Sequence, residues 1–170
     1  MNFVAYNYDI GISCPDEQSA FEIYSFFDEY HENLEEYFLS FEYSVKNSSQ
    51  EWLIRIIPYT DNYEAHPENL IVEEFVPEVR RLMHQVFTQH PQWNYYYAWF
   101  GLEIYYDEFT HGQLLSDVLD VLTHQRRSER RYRKSYKGFI LQNILAEHMG
   151  IAQAFEHFNT NYCWIPYDKF

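Results

Sequence analysis

At 170 residues and 46% hydrophobic content, the chain has the length of one domain and enough apolar material for a core. A formal charge of −14 at pH 7 disfavours nonspecific nucleic-acid binding, because most of such a surface repels phosphate. Two cysteines, Cys14 and Cys163, without a CxxC exclude a disulfide-built scaffold, although a bridge between the two stays open.

The N-terminal MNFVAYNYDIGIS has no basic segment followed by an apolar one, and no apolar run reaches membrane-spanning length. These features predict a soluble cytoplasmic protein. In residues 3–12, Val4, Tyr6, Tyr8, Ile10 and Ile12 alternate with Asn7, Asp9 and Gly11, which predicts a strand. SCPDEQ then offers Ser13 as a helix cap, Asp16 three residues on, and Pro15 for a first turn. A helix is expected to about Tyr37, burying Ile23, Phe27, Tyr30, Leu34 and Phe38, with Glu22, Glu29, Glu32 and Glu36 opposite.

FLSFEYSV and EWLIRIIPY flank NSSQ and predict a hairpin, with Pro58 marking the end of the second strand or an edge position. DNYEAHPEN reads as a loop. From Pro77 a helix is predicted on the stripe Val79, Leu82, Met83, Val86 and Phe87, ending at HPQ. WNYYYAWFGLEIYYDE predicts a long strand, with Tyr96, Ala98, Phe100, Leu102 and Ile104 on one face and Trp93, Tyr95, Tyr97, Trp99 and Glu103 on the other. The order β-α-β-β-α-β predicts an α+β fold with a ferredoxin-like core over 1–108. Residues 109–170 are expected to form a mainly helical extension packed on the sheet, giving a single domain. Its apolar stripes are Leu114, Leu115, Val118, Leu119, Leu122 and Ile140, Leu141, Ile144, Leu145, Met149, and YCWIPY adds a strand or an arm.

Charge is unevenly divided. Residues 1–123 carry 22 acids against Lys46, Arg55, Arg80 and Arg81, whereas HQRRSERRYRKSYK at 124–137 holds seven of the twelve Lys and Arg. As a helix this run presents a wide cationic face, and its like charges repel by roughly 0.2–0.5 kcal/mol per i,i+4 pair. The neighbouring acidic body is the nearest source of compensation. Arg126, Arg127, Arg130, Arg131 and Lys134 are therefore expected to form intramolecular salt bridges.

No HExxH, GxSxG or P-loop occurs. Glu108 and His111 make one half of a metal-binding unit that needs two copies, and His31 and Glu35 lie one helical turn apart on a charged face. Cys14 near a helix start would need a histidine base to act as a nucleophile. No metal, cofactor or catalytic residue is assigned.

Aromatics make up 21% of the chain, and tyrosine and tryptophan favour recognition surfaces. In its FEIYSFFDEYHENLEEYF and NYYYAWFGLEIYYDE segments the chain resembles bacterial toxin-immunity proteins, including those of contact-dependent inhibition systems. That resemblance implies a non-catalytic protein that neutralises a basic partner such as a nuclease-type toxin. Glu29, Glu32, Glu35 and Glu36 would supply charge, and Tyr95, Tyr97 and Trp99 the anchors. The alternatives are a small-molecule-binding or enzymatic α+β domain, and an RNA-associated module or phage-type nucleic-acid mimic.

Overall fold

The computed structural model describes residues 5, 6, 8–34, 37–47, 51–60, 71, 72, 76–102 and 136–167. They form an α+β fold on an antiparallel eight-stranded sheet. The chain order is β1 (Ala5–Tyr6), β2 (Tyr8–Cys14), α1 (Glu17–Glu29), β3 (Glu32–Leu34), β4 (Tyr37–Asn47), β5 (Trp52–Thr60), β6 (Ile71–Val72), α2 (Val76–Gln89) and β7 (Tyr97–Leu102). After residue 135 come β8 (Phe139–Gln142), α3 (Asn143–His148), a 3-10 turn (Ala152–Ala154), β9 (Glu156–His157) and β10 (Tyr162–Trp164). The sheet runs β3-β4-β5-β2-β7-β8-β10-β9, and β1 pairs separately with β6. No helix among the described residues is long and apolar enough to cross a membrane.

Alternation in β2 sends Ile10, Ile12 and Cys14 to the helix-covered face and leaves Asp9, Gly11 and Ser13 on the other. α1 covers the first face with Ala20, Ile23 and Phe27, and α2 does so with Val79, Leu82, Met83, Val86 and Phe87. Each fully buried Phe or Ile contributes about 1.5–3 kcal/mol. The other face is covered at the β7–β8–β10 end, where Tyr97, Phe139, Leu141 and Cys163 pack with Ala146 of α3 and Ile151.

Several expectations change. The cap of α1 is Asp16, whose Oδ1 accepts the Ser19 amide at 2.8 Å. Ser13 stays in β2 and its hydroxyl donates to Glu51 Oε2. The helix ends at Glu29 rather than near Tyr37, because Glu32–Leu34 pair with Tyr37–Leu39 as strands. Ladder formation overrides the helical propensity of HENLEEY, and Phe38, expected in the buried stripe, is 39% exposed on β4. β5 continues past Pro58 to Thr60, and among the described residues its pairing to β2 runs only as far as Ile56, so the missing proline N–H falls where β4 is the one described partner.

The residues expected as one helix from Ile140 to Met149 divide. Ile140 and Leu141 join β8 against β7, and helix begins only at Asn143. Pairing with Tyr97 and Ala98 extends this segment into strand. The described residues 136–167 thus add three strands and a short helix, where a mainly helical extension was expected. The stripe at 114–122 lies outside the described residues.

Two devices tie this segment down. The Tyr162 hydroxyl accepts the Tyr95 amide at 3.0 Å and donates to the Trp93 carbonyl at 2.8 Å. Its ring stacks on Tyr95 at 4.0 Å. Asn159 Oδ1 receives the amides of Asn161 and Tyr162, and its Nδ2 donates to the Phe87 carbonyl at the end of α2. The second device is Gly138, with φ of 79°, whose amide donates to the Ile165 carbonyl at 2.8 Å. A Cβ there would lie 2.1 Å from Tyr167 Oη and 2.7 Å from the Phe100 carbonyl oxygen, the pair joined by a 2.9 Å hydrogen bond.

Gly138→Ala should therefore lose on the order of 2–4 kcal/mol of stability, from positive-φ strain plus displacement of Tyr167. Gly150→Ala, also at positive φ but with nothing within 4 Å of the new Cβ, should lose only about 1 kcal/mol. Urea denaturation of the two variants measures the difference. Alkaline stability offers a second test. Burial pushes the Tyr162 hydroxyl up to about 12 and raises those of Tyr95 and Tyr97 as well. Unfolded tyrosines ionise near ~10, so the unfolded chain sheds these protons first as pH rises. Stability from Tyr162 should be full below about pH 10 and disappear towards about 12, with tyrosinate absorbance rising together with unfolding.

Candidate partner-binding surface

α1 presents two faces because its apolar residues recur at helical spacing. Ser19, Ala20, Ile23 and Phe27 are buried, while Glu17, Gln18, Phe21, Glu22, Asp28 and Glu29 are exposed. From Asp16 to Glu32 the chain has six carboxylates and no Lys or Arg. Aromatic side chains stand among them. Phe21 is 49% exposed and meets Tyr24 edge-on at 5.4 Å. Tyr24 stacks at 4.8 Å on Tyr43 of β4, itself 39% exposed. Asp16, Glu17, Gln18, Phe21 and Tyr24 line an open depression at the start of the helix.

Three of the nearby cations are engaged within the protein. Arg55 makes a bidentate pair with buried Asp9 at 3.0 and 3.2 Å on the opposite sheet face. Arg81 pairs with Glu78 on α2, and Arg80 lies over the Tyr167 ring at 4.6 Å. None of these three interactions neutralises the outer face of α1. Hydrogen bonds from the Ser19 amide hold the Asp16 carboxyl below its ordinary range, so it is ionised at neutral pH.

The expected site residues fall in different places. Glu29 is exposed at the end of α1. Glu32 sits on β3, half-buried, and its Oε1 accepts the Tyr30 hydroxyl at 2.8 Å. Burial followed by the Glu32 contact pushes that hydroxyl up. The anchor assignment of Tyr95 and Tyr97 needs correction, because both rings have 0% exposure and offer no surface to a partner. They were expected on one strand face. Strand geometry begins only at Tyr97, and the Tyr96 amide bonds to the Ser13 carbonyl at 2.7 Å. The alternation breaks there, sending Tyr95 to the helix-side core and Tyr97 to the opposite one. Trp99 is half-buried, packed on Tyr136 at 5.3 Å and Phe139 at 6.3 Å.

Glu35, Glu36, Glu108, His111, Arg126, Arg127, Arg130, Arg131 and Lys134 lie outside the described residues. Cys14 is buried and free, and burial followed by repulsion from Asp16 raises its thiol pKa, the reverse of an activated nucleophile. Cys163 is also free, packs on the opposite sheet face, and is pushed by burial up to about 11. No group of three or more metal-ligating side chains occurs among the described residues.

Phe21, Tyr24 and Tyr43 were missed in the sequence. The available signal was an aromatic at Phe21 beside Glu17 and Glu22, off the Ile23–Phe27 stripe. No protein-family model, curated protein or solved structure matches the chain. Asp16→Ala should cost about 1 kcal/mol through the lost cap, whereas Phe21→Ala, at an exposed position, should leave the urea midpoint nearly unchanged. A paired denaturation series separates the structural residue from the surface one.

Proposed function

We propose that this chain is a non-catalytic acidic protein that binds and neutralises a basic protein partner, in the manner of an immunity protein blocking a nuclease-type toxin. The observation that carries this reading is the aromatic group of exposed Phe21 and Tyr43 with half-buried Tyr24 between them, set among carboxylates with no cation on the same helix. Arginine from a partner can stack on such rings while its guanidinium pairs with Asp16, Glu17 or Glu22. A basic nuclease offers such arginines where it grips phosphate, so an acidic cover competes with its substrate. Glu29 extends the same surface, and Glu32 flanks it. The core is read as ferredoxin-like, which the antiparallel order β4-β5-β2-β7 with α1 and α2 on one face supports.

Titration against purified basic nuclease-type toxin domains tests the proposal. The cognate domain should be bound and its nucleic-acid cleavage blocked, with affinity falling as salt rises. Glu22→Lys and Phe21→Ala should each weaken binding at least tenfold without unfolding the protein, since aromatic anchors and central charges dominate such interfaces. Turnover of a metabolite by the pure protein, or binding to RNA alone, would overturn the reading.

A further inference from the structure

We infer that a groove where three loops meet is a binding site for a neutral saccharide. Residues 91–94 after α2, 142–144 at the start of α3 and 160–162 at the start of β10 line it. Its volume of about 460 Å³ falls in the range of small-molecule sites. Charged residues make up 22% of the chain, yet among the described residues no Asp, Glu, Lys, Arg or His lines this groove. Its polar groups are the amides of Gln92, Asn94, Gln142, Asn143 and Asn161 and the hydroxyl of Thr160.

Hydrogen bonds between the loops decide which of these groups remain for a ligand. Asn143 Nδ2 donates to the Thr160 carbonyl at 3.2 Å, and Asn161 Nδ2 donates to the Pro91 carbonyl at 2.9 Å. A carbonyl only accepts, so the orientation of both amides is fixed, and the Oδ1 of each has no donor among the described residues. Gln142 Nε2 donates to Asn94 Oδ1 at 3.4 Å, which leaves Asn94 Nδ2 without an acceptor among them. Gln92 and Thr160 are exposed, and each side chain brings both a donor and an acceptor.

The lining therefore offers free donors and free acceptors without a charge, which selects the ligand class. A charged ligand would lose hydration there with no counter-ion to replace it. A peptide backbone docks by extending a strand edge, and β8 is already flanked by β7 and β10. A hydroxyl both donates and accepts, so a sugar ring with adjacent hydroxyls satisfies both kinds of group. Ile144, a lining residue 69% exposed, offers the C–H face of such a ring an apolar contact. Because bonds between the loops already hold Asn94, Gln142, Asn143 and Asn161, binding orders few further side chains. The net charge of −14 does not repel a neutral ligand. This site goes beyond the partner-binding reading and does not depend on it.

Chemical-shift titration of the isotope-labelled full chain tests the inference, with D-glucose, D-galactose, D-mannose and N-acetyl-D-glucosamine as probes. At least one should shift the side-chain amide signals of Asn94, Asn143 and Asn161 saturably, with a dissociation constant of about 1–10 mM, as suits a small ligand held by a few hydrogen bonds. The phosphate ester of that sugar should bind roughly tenfold more weakly, because the acidic chain repels it and the groove has no cation for it. Gln92→Leu and Thr160→Val leave the bonds between the loops intact. Each should weaken binding roughly fivefold, the worth of about one hydrogen bond, at an unchanged urea midpoint. Glu22→Lys on the partner-binding surface should leave saccharide binding unchanged, so the two readings fail separately. Shifts that stay linear with every probe, tighter binding of the phosphate ester, or binding indifferent to both groove variants would each overturn the inference.

Discussion

Burial of β7 on both faces is the constraint around which the rest of this protein is arranged. Ala98 and Phe100 point into the helix-side core, and Tyr97 points into the opposite one. A strand apolar on both sides needs two covers. α1 and α2 supply the first, and the segment after residue 135 supplies the second through β8, β10 and α3. The Tyr162 hydroxyl closes the arrangement by joining β10 to the backbone just before β7.

That arrangement also decides which aromatics are available for recognition. Interior tyrosines satisfy the core, with Tyr95 stacked on Tyr162 and Tyr97 beside Phe139. Among the described residues the exposed aromatics, Phe21, Phe38 and Tyr43, lie on α1 and β4. Charge sorts in the same direction, since Arg55, Arg80 and Arg81 are held by groups of their own fold while the outer face of α1 keeps its carboxylates. An acidic, aromatic surface results from internal use of the cations as much as from the excess of acids.

Periodicity was readable where a single cover dictated it. Val79, Leu82, Met83, Val86 and Phe87 are buried as their spacing implies, and Ile10 and Ile12 share the face their alternation implies. The β4–β5 hairpin was equally legible, because FLSFEYSV and EWLIRIIPY are bounded by turn residues. Legibility failed where a long-range ladder competed with local preference. HENLEEY has helical composition yet pairs in part with β4, and Ile140 and Leu141 lie at helical spacing with Leu145 yet pair with β7. Of the expected contacts Glu29 is exposed but at the end of α1 rather than within a longer helix, whereas Tyr95 and Tyr97 entered the core because the alternation breaks at Tyr96.

The sequence by itself determined the acidic balance, the α+β class, the amphipathic faces of α1 and α2, and the hairpin between them. These follow from composition and from spacing between near neighbours, which a linear string preserves. Only the tertiary structure decided where α1 stops, that residues 139–164 add strands, and which rings face water. Those outcomes depend on pairings such as Tyr97 with Leu141 or Tyr24 with Tyr43, made between residues far apart in the chain. The energy of such a pair belongs to both partners at once, so neither segment carries it alone.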